Sequence, residues 1–157
     1  MGGLGGRVDQ AFSQIHHLAV MRNKRYYRHE DKGLQDEKDE GQAEGKDELR
    51  MALYLISEQS VTFMLGPGKN IIHTPATNRP GNMLSSYFFE ENVGIIPALG
   101  PTSITTRGFE WDVVDWPTAI GGQVSTSNHI RADVVSVQAP DVVMFTVELA
   151  TRLKREG

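Results

Sequence analysis

Past Gly66-Pro67-Gly68 the chain is never far from a helix breaker: Pro75, Pro80, Pro97, Pro101 and Pro117 recur among glycines. Proline removes a backbone donor and glycine adds backbone entropy, so this region suits short extended segments and turns rather than long helices. The apolar runs between the breakers predict strands at Asn70–His73, Asn92–Ile96, Ile104–Val114, Gln123–Ser127 and Val134–Gln138, with another at Val61–Leu65 ahead of the turn. Met83–Phe89 fits strand and helix equally well.

Outside this region the period changes. Val8, Ala11, Phe12, Ile15, Leu18 and Ala19 recur at threes and fours, which predicts a helix over 7–27 with cations, Arg22 to Arg28, at its carbonyl end. Asp47 is placed to cap a second helix carrying Leu49, Ala52, Leu53 and Ile56 on one face. Pro140-Asp141 opens a third, in which Val142, Phe145, Leu149 and Leu153 align. The expected fold class is therefore α+β, with a central mixed or antiparallel sheet of short strands and helices near both termini. Residues 28–48 hold nine acids and only two apolar side chains, Leu34 and Ala43, a composition expected to form an acidic mobile loop. The organisation expected is a leader and first helix over 1–27, that loop over 28–48, and an α+β body over 49–157, all in one domain.

Composition narrows function. A formal charge of −4 would repel polyanions, so nucleic acid is not an expected partner. No apolar run reaches bilayer length and MGGLGG has no export-signal pattern, so a soluble, unexported chain without membrane insertion is expected. With no cysteine, thiolate catalysis and cysteine-ligated metals are excluded, and no cofactor or metal site is expected.

Chemistry-bearing motifs are sparse. Gly66-Pro67-Gly68-Lys69-Asn70 has glycines and a lysine after a strand, but lacks the spacing and hydroxyl of a phosphate loop and predicts a tight turn. Five histidines form no metal-binding pair in sequence; His73 and His129 would need the fold to bring them together with Asp133, where either would serve as a general base. Glu90-Glu91 follows an aromatic run and fits either a binding wall or a core rim. In Gly108-Phe109-Glu110-Trp111-Asp112-Val113-Val114-Asp115-Trp116-Pro117, strand alternation sends Phe109, Trp111 and Val113 inward. Trp116 is then the candidate ligand platform, and Asp115 the hydrogen-bond acceptor beside it.

GFEWDVVDWPTAIGG resembles the F-x-W-D-V-x-P-x-P segment and glycine loop of family 1 extracellular solute-binding proteins, the capture subunits of ABC sugar importers. QAFSQIHHLAVMRNK, SEQSVTFMLGPG and APDVVMFTVELATRLKREG are similar to other helices and strands of that family, in its order. That family's chains are about twice as long and carry an export signal, so the resemblance implies a fragment, extracytoplasmic in its parent. It implies a non-catalytic module that captures a small polar ligand, a carbohydrate, by stacking and hydrogen bonding. A second expectation, different in class, is a structural or assembly subunit of a virion or other large homo-oligomer, in which Pro/Gly-punctuated segments order against neighbouring copies.

Overall fold

The computed structural model describes residues 7–32 and 53–154. Its elements are α1 (Val8–Lys32), β1 (Leu55–Ile56), β2 (Ser60–Leu65), β3 (Gly68–His73), β4 (Thr77–Asn78), β5 (Phe89–Pro97), β6 (Thr102–Arg107), β7 (Trp116–Thr118), β8 (Ser125–His129), β9 (Val134–Ala139) and β10 (Val143–Leu149), then a 3-10 turn at Thr151–Leu153. The strands make two sheets. One has the order β1-β2-β10-β5-β4, with β8 also paired to β5; the other runs β3-β9-β6-β7. All pairings are antiparallel except the two-residue contact of β4 with β5.

Alternation along the strands builds the core between the sheets. Val143, Phe145 and Val147 of β10 and Val93 and Ile95 of β5 meet Val135 and Val137 of β9 and Ile104 of β6. The other face of the first sheet carries Met64 and Met144, and α1 packs there through Ile15, Leu18 and Ala19, with Val142 completing the contact. No helix among the described residues is long and apolar enough to cross a membrane.

The antiparallel sheets agree with expectation, but the helix expected from Pro140 does not form. Val142, Val143, Thr146 and Val147 are β-branched and lose rotamer freedom in a helix, whereas the same segment as β10 satisfies both of its edges, pairing with β2 and β5. Among the described residues, helices near both termini are therefore replaced by one long helix, α1, and a central strand, β10. The second expected helix is also corrected where it can be seen. Leu55–Ile56 pairs with Val61 and Thr62 around a turn in which the Ser60 N–H donates to Ser57 Oγ at 2.9 Å. Its start at Asp47, and the acidic stretch beyond Lys32, lie outside the described residues. Helix α1 continues past residue 27 to Lys32.

Gly66-Pro67-Gly68 carries the chain from β2 in one sheet to β3 in the other. Gly68 has φ +88°, and the Asn70 side-chain amide donates to the Gly66 carbonyl at 2.8 Å, closing the turn from within.

Near the end of β10, Glu148 bonds Lys154 and Asn92. Partial burial pushes its carboxyl up, but those bonds outweigh it and hold the carboxyl below the usual range. A depressed carboxylate contributes stability that is complete above the unfolded-state value and is lost as pH falls through the folded one. Melting temperature is therefore expected to fall between about pH 5 and pH 3, and Glu148→Gln should flatten that part of the profile. An identical acid slope in the variant would reject this contribution.

Candidate functional site

Strand β6 ends at Arg107, and the next residue, Gly108, turns the chain out of the sheet with a φ of +91°; a Cβ there would lie 3.1 Å from the Val134 carbonyl oxygen. The Asp112 carboxylate ties the turn, accepting from the Gly108 N–H at 2.9 Å, the Phe109 N–H at 3.2 Å and the Thr106 hydroxyl at 3.1 Å. Phe109 drops into the core and bridges to Ile130. With the strand period broken, Trp111 faces outward and is 55% exposed, which corrects its expected place in the core.

Strand β8 supplies the other wall. Asn128 is buried and clamps the backbone of Trp111 from both sides: its Oδ1 accepts from the Trp111 N–H at 3.2 Å, and its Nδ2 donates to the Trp111 carbonyl at 3.0 Å. The Trp111 and His129 rings lie 5.0 Å apart, inclined at 44°. His129 Nδ1 is 2.6 Å from Glu110 Oε2, and Arg131 bridges Glu110 to Glu91 of β5. The hydrogen bond from His129 holds the Glu110 carboxyl below its usual range; desolvation opposes this, and the bond and charge of Arg131 add to the lowering. Two non-glycine residues with positive φ border the cluster, Ser127 at 56° and Asp115 at 47°. Such conformations cost energy and concentrate at functional sites.

The expected platform and acceptor occupy the far end of the same loop. Trp116 begins β7 opposite Ile104 and is half-buried against the core. The Asp115 carboxylate accepts from Ser103 Oγ at 2.7 Å, and its own N–H donates to Thr105 Oγ1 at 2.9 Å. His73, His129 and Asp133 take separate places. His73 is exposed on β3 opposite Val134, His129 bonds Glu110, and Asp133 engages Arg79. Glu90 and Glu91 also diverge, Glu90 binding Asn78 and Thr151 while Glu91 joins Arg131. No group of His, Asp and Glu suited to a metal occurs among the described residues. Sequence reasoning missed Trp111, Glu110, Asn128 and Arg131. The available signal was Gly108 followed four residues later by Asp112, which marks a turn inside an assumed strand.

Residues 69–143 match the family described as "Thiamin pyrophosphokinase, vitamin B1 binding domain". That stretch holds every residue of this cluster. Thiamine pyrophosphokinase 2 of Oryza sativa subsp. japonica is 29% identical over 98 residues, 62% of this chain and 36% of that protein. Thiamine pyrophosphokinase 2 of Arabidopsis thaliana is 28% identical over 76 residues, 48% of this chain and 28% of that one. Among solved structures, thiamin pyrophosphokinase from Candida albicans superposes with a TM-score of 0.68 at 23% identity, over 94% of this chain and 43% of that chain. This last likeness establishes a shared fold. The chain spans well under half the length of the relatives it matches.

These matches overturn the resemblance to solute-binding proteins, whose motifs were strand and helix patterns that many folds share. They equally overturn the expectations of a non-catalytic carbohydrate module and of a virion or assembly subunit, with the partners those implied, because the matched proteins are named as enzymes acting on a vitamin.

Proposed function

We propose that this chain carries the vitamin B1-binding part of a thiamin pyrophosphokinase, an enzyme that transfers a diphosphoryl group as one unit from ATP to the hydroxyl of thiamin, releasing AMP and the hydroxyl proton. The observation that carries this reading is the exposed Trp111 whose ring lies against His129, itself bonded to Glu110, inside the segment matched to the vitamin-binding family. Thiamin joins a flat aminopyrimidine to a cationic thiazolium ring. An indole face attracts both a flat ring and a cation. Glu91 and Glu110 against Arg131 leave a local excess of negative charge that suits the cation. In this reading Trp116 and Asp115 shape the loop, Trp116 by anchoring it to the core and Asp115 by fixing its turn to β6.

Titration of the 157-residue chain with thiamin should quench tryptophan fluorescence saturably. Trp111→Ala should weaken binding by at least about tenfold, the effect expected on losing a stacking and cation-π partner. Undiminished affinity in Trp111→Ala, measured by calorimetry, would remove the central residue of this reading.

A further inference from the structure

The bonding around His129 determines which of its ring nitrogens is free. Glu110 Oε2 lies 2.6 Å from Nδ1, and an ionised carboxylate has no proton to give, so the proton in that bond sits on Nδ1. Arg131 approaches the same nitrogen at 3.0 Å, but a guanidinium only donates, and its stronger bonds run to Glu110 and Glu91. With the proton on Nδ1, the neutral ring carries its lone pair on Nε2. Nε2 has no hydrogen-bond partner among the described residues, and it is not among the buried polar atoms left without one. It belongs to a ring lying against an exposed indole.

We infer that His129 is a specificity-determining residue of this site. Its Nε2 accepts a hydrogen bond from an N–H donor on the edge of a heteroaromatic ring stacked at Trp111, and Glu110 and Arg131 are positioning residues that hold the tautomer. The inference rests on the vitamin-binding reading, in which that donor is the exocyclic amine of the aminopyrimidine. Discrimination follows from the chemistry. A ligand with oxygen in place of the amine would set its own lone pairs against that of Nε2, and a group placed to accept a hydrogen bond disfavours an analogue that cannot donate one.

The test compares thiamin with oxythiamin, its analogue bearing oxygen at that position, by calorimetry at pH 8. The wild-type chain should favour thiamin by about tenfold or more. His129→Phe keeps a ring against Trp111 but removes the acceptor, so the two affinities should converge to within about twofold. Glu110→Gln should lower the same ratio, because an amide donates to Nδ1 as readily as it accepts from Nδ1–H. A wild-type chain that binds both compounds equally, or a ratio unchanged in His129→Phe, overturns the inference and leaves the vitamin reading standing. A chain that binds neither compound overturns both. A purely structural role for His129 would weaken both ligands in parallel and leave the ratio intact, which also overturns it. If His129→Phe does not fold, Glu110→Gln decides: a lowered ratio supports the inference and a wild-type ratio overturns it.

Discussion

Phe145→Ala is expected to destabilise the chain by about 3–5 kcal/mol, a large share of the roughly 5–15 kcal/mol that holds an ordinary domain together. Phe145 is 1% exposed and sits at the middle of β10, paired to Phe63 of β2 on one side and Ile95 of β5 on the other. Its ring centroid is 5.3 Å from that of Phe63 and 6.4 Å from that of Phe109. The neighbours that would have to collapse into the space are held on paired strands, so relaxation is limited and most of the cavity cost remains. Because Phe109 anchors the turn that presents Trp111, the damage should spread to the site, and on the proposed vitamin-binding reading residual folded protein should bind thiamin less well. Urea unfolding followed by circular dichroism measures the loss. A cost below about 1 kcal/mol would contradict a core centred on this ring.

Asn128→Ala is expected to separate site from scaffold more sharply than any change of an exposed residue. Its amide makes three bonds to backbone: two to Trp111, and one in which Oδ1 accepts from the His129 N–H at 2.8 Å. Alanine leaves the two N–H groups and the Trp111 carbonyl without those partners, at a cost of about 2–3 kcal/mol after solvent recovers part of it. The larger consequence is positional. Trp111 loses both backbone restraints at once, so on the proposed vitamin-binding reading thiamin affinity should fall by more than the stability change alone accounts for. Asn128→Asp keeps the acceptor half and should be intermediate. Nearly wild-type affinity in Asn128→Ala, at a temperature where it is fully folded, would show that the loop is held by other means.

The parts of this fold that could be read from residues were those whose local signal had one interpretation. β2 stops at Gly66-Pro67-Gly68 and β9 ends just before Pro140, where breakers leave no alternative. The β10 segment reads as a helix from sequence although Phe145 belongs to two patterns, the helical set with Val142 and Leu149 and the alternating set with Val143 and Val147. Only the presence of β2 and β5 on its flanks selects the second. Trp111 was misplaced by extending strand alternation through Gly108, where the backbone leaves the sheet. His129 was legible as a candidate for chemistry. Its partner Glu110 was not, because the two are 19 residues apart and meet only where the loop after β6 runs beside the end of β8, through the Phe109–Ile130 bridge and the Glu110 N–H donating to the His129 carbonyl. The cluster is a product of tertiary pairing, so spacing along the chain carries no trace of it.

The position of β10 between β2 and β5 also orders events in time. β2 and β5 do not pair with each other, so the first sheet has no continuous middle until β10 arrives, and partners such as Thr62 and Thr146 are 84 residues apart. Closing so long a loop costs entropy before any contact offsets it, which makes assembly slow and dominated by distant pairings. On the ribosome, β2 and β5 emerge with open edges and must wait for the strand that joins them. During that interval the same unpaired backbone that later accepts β10 is exposed to other chains, so yield in the cell depends on how quickly one late segment finds its slot.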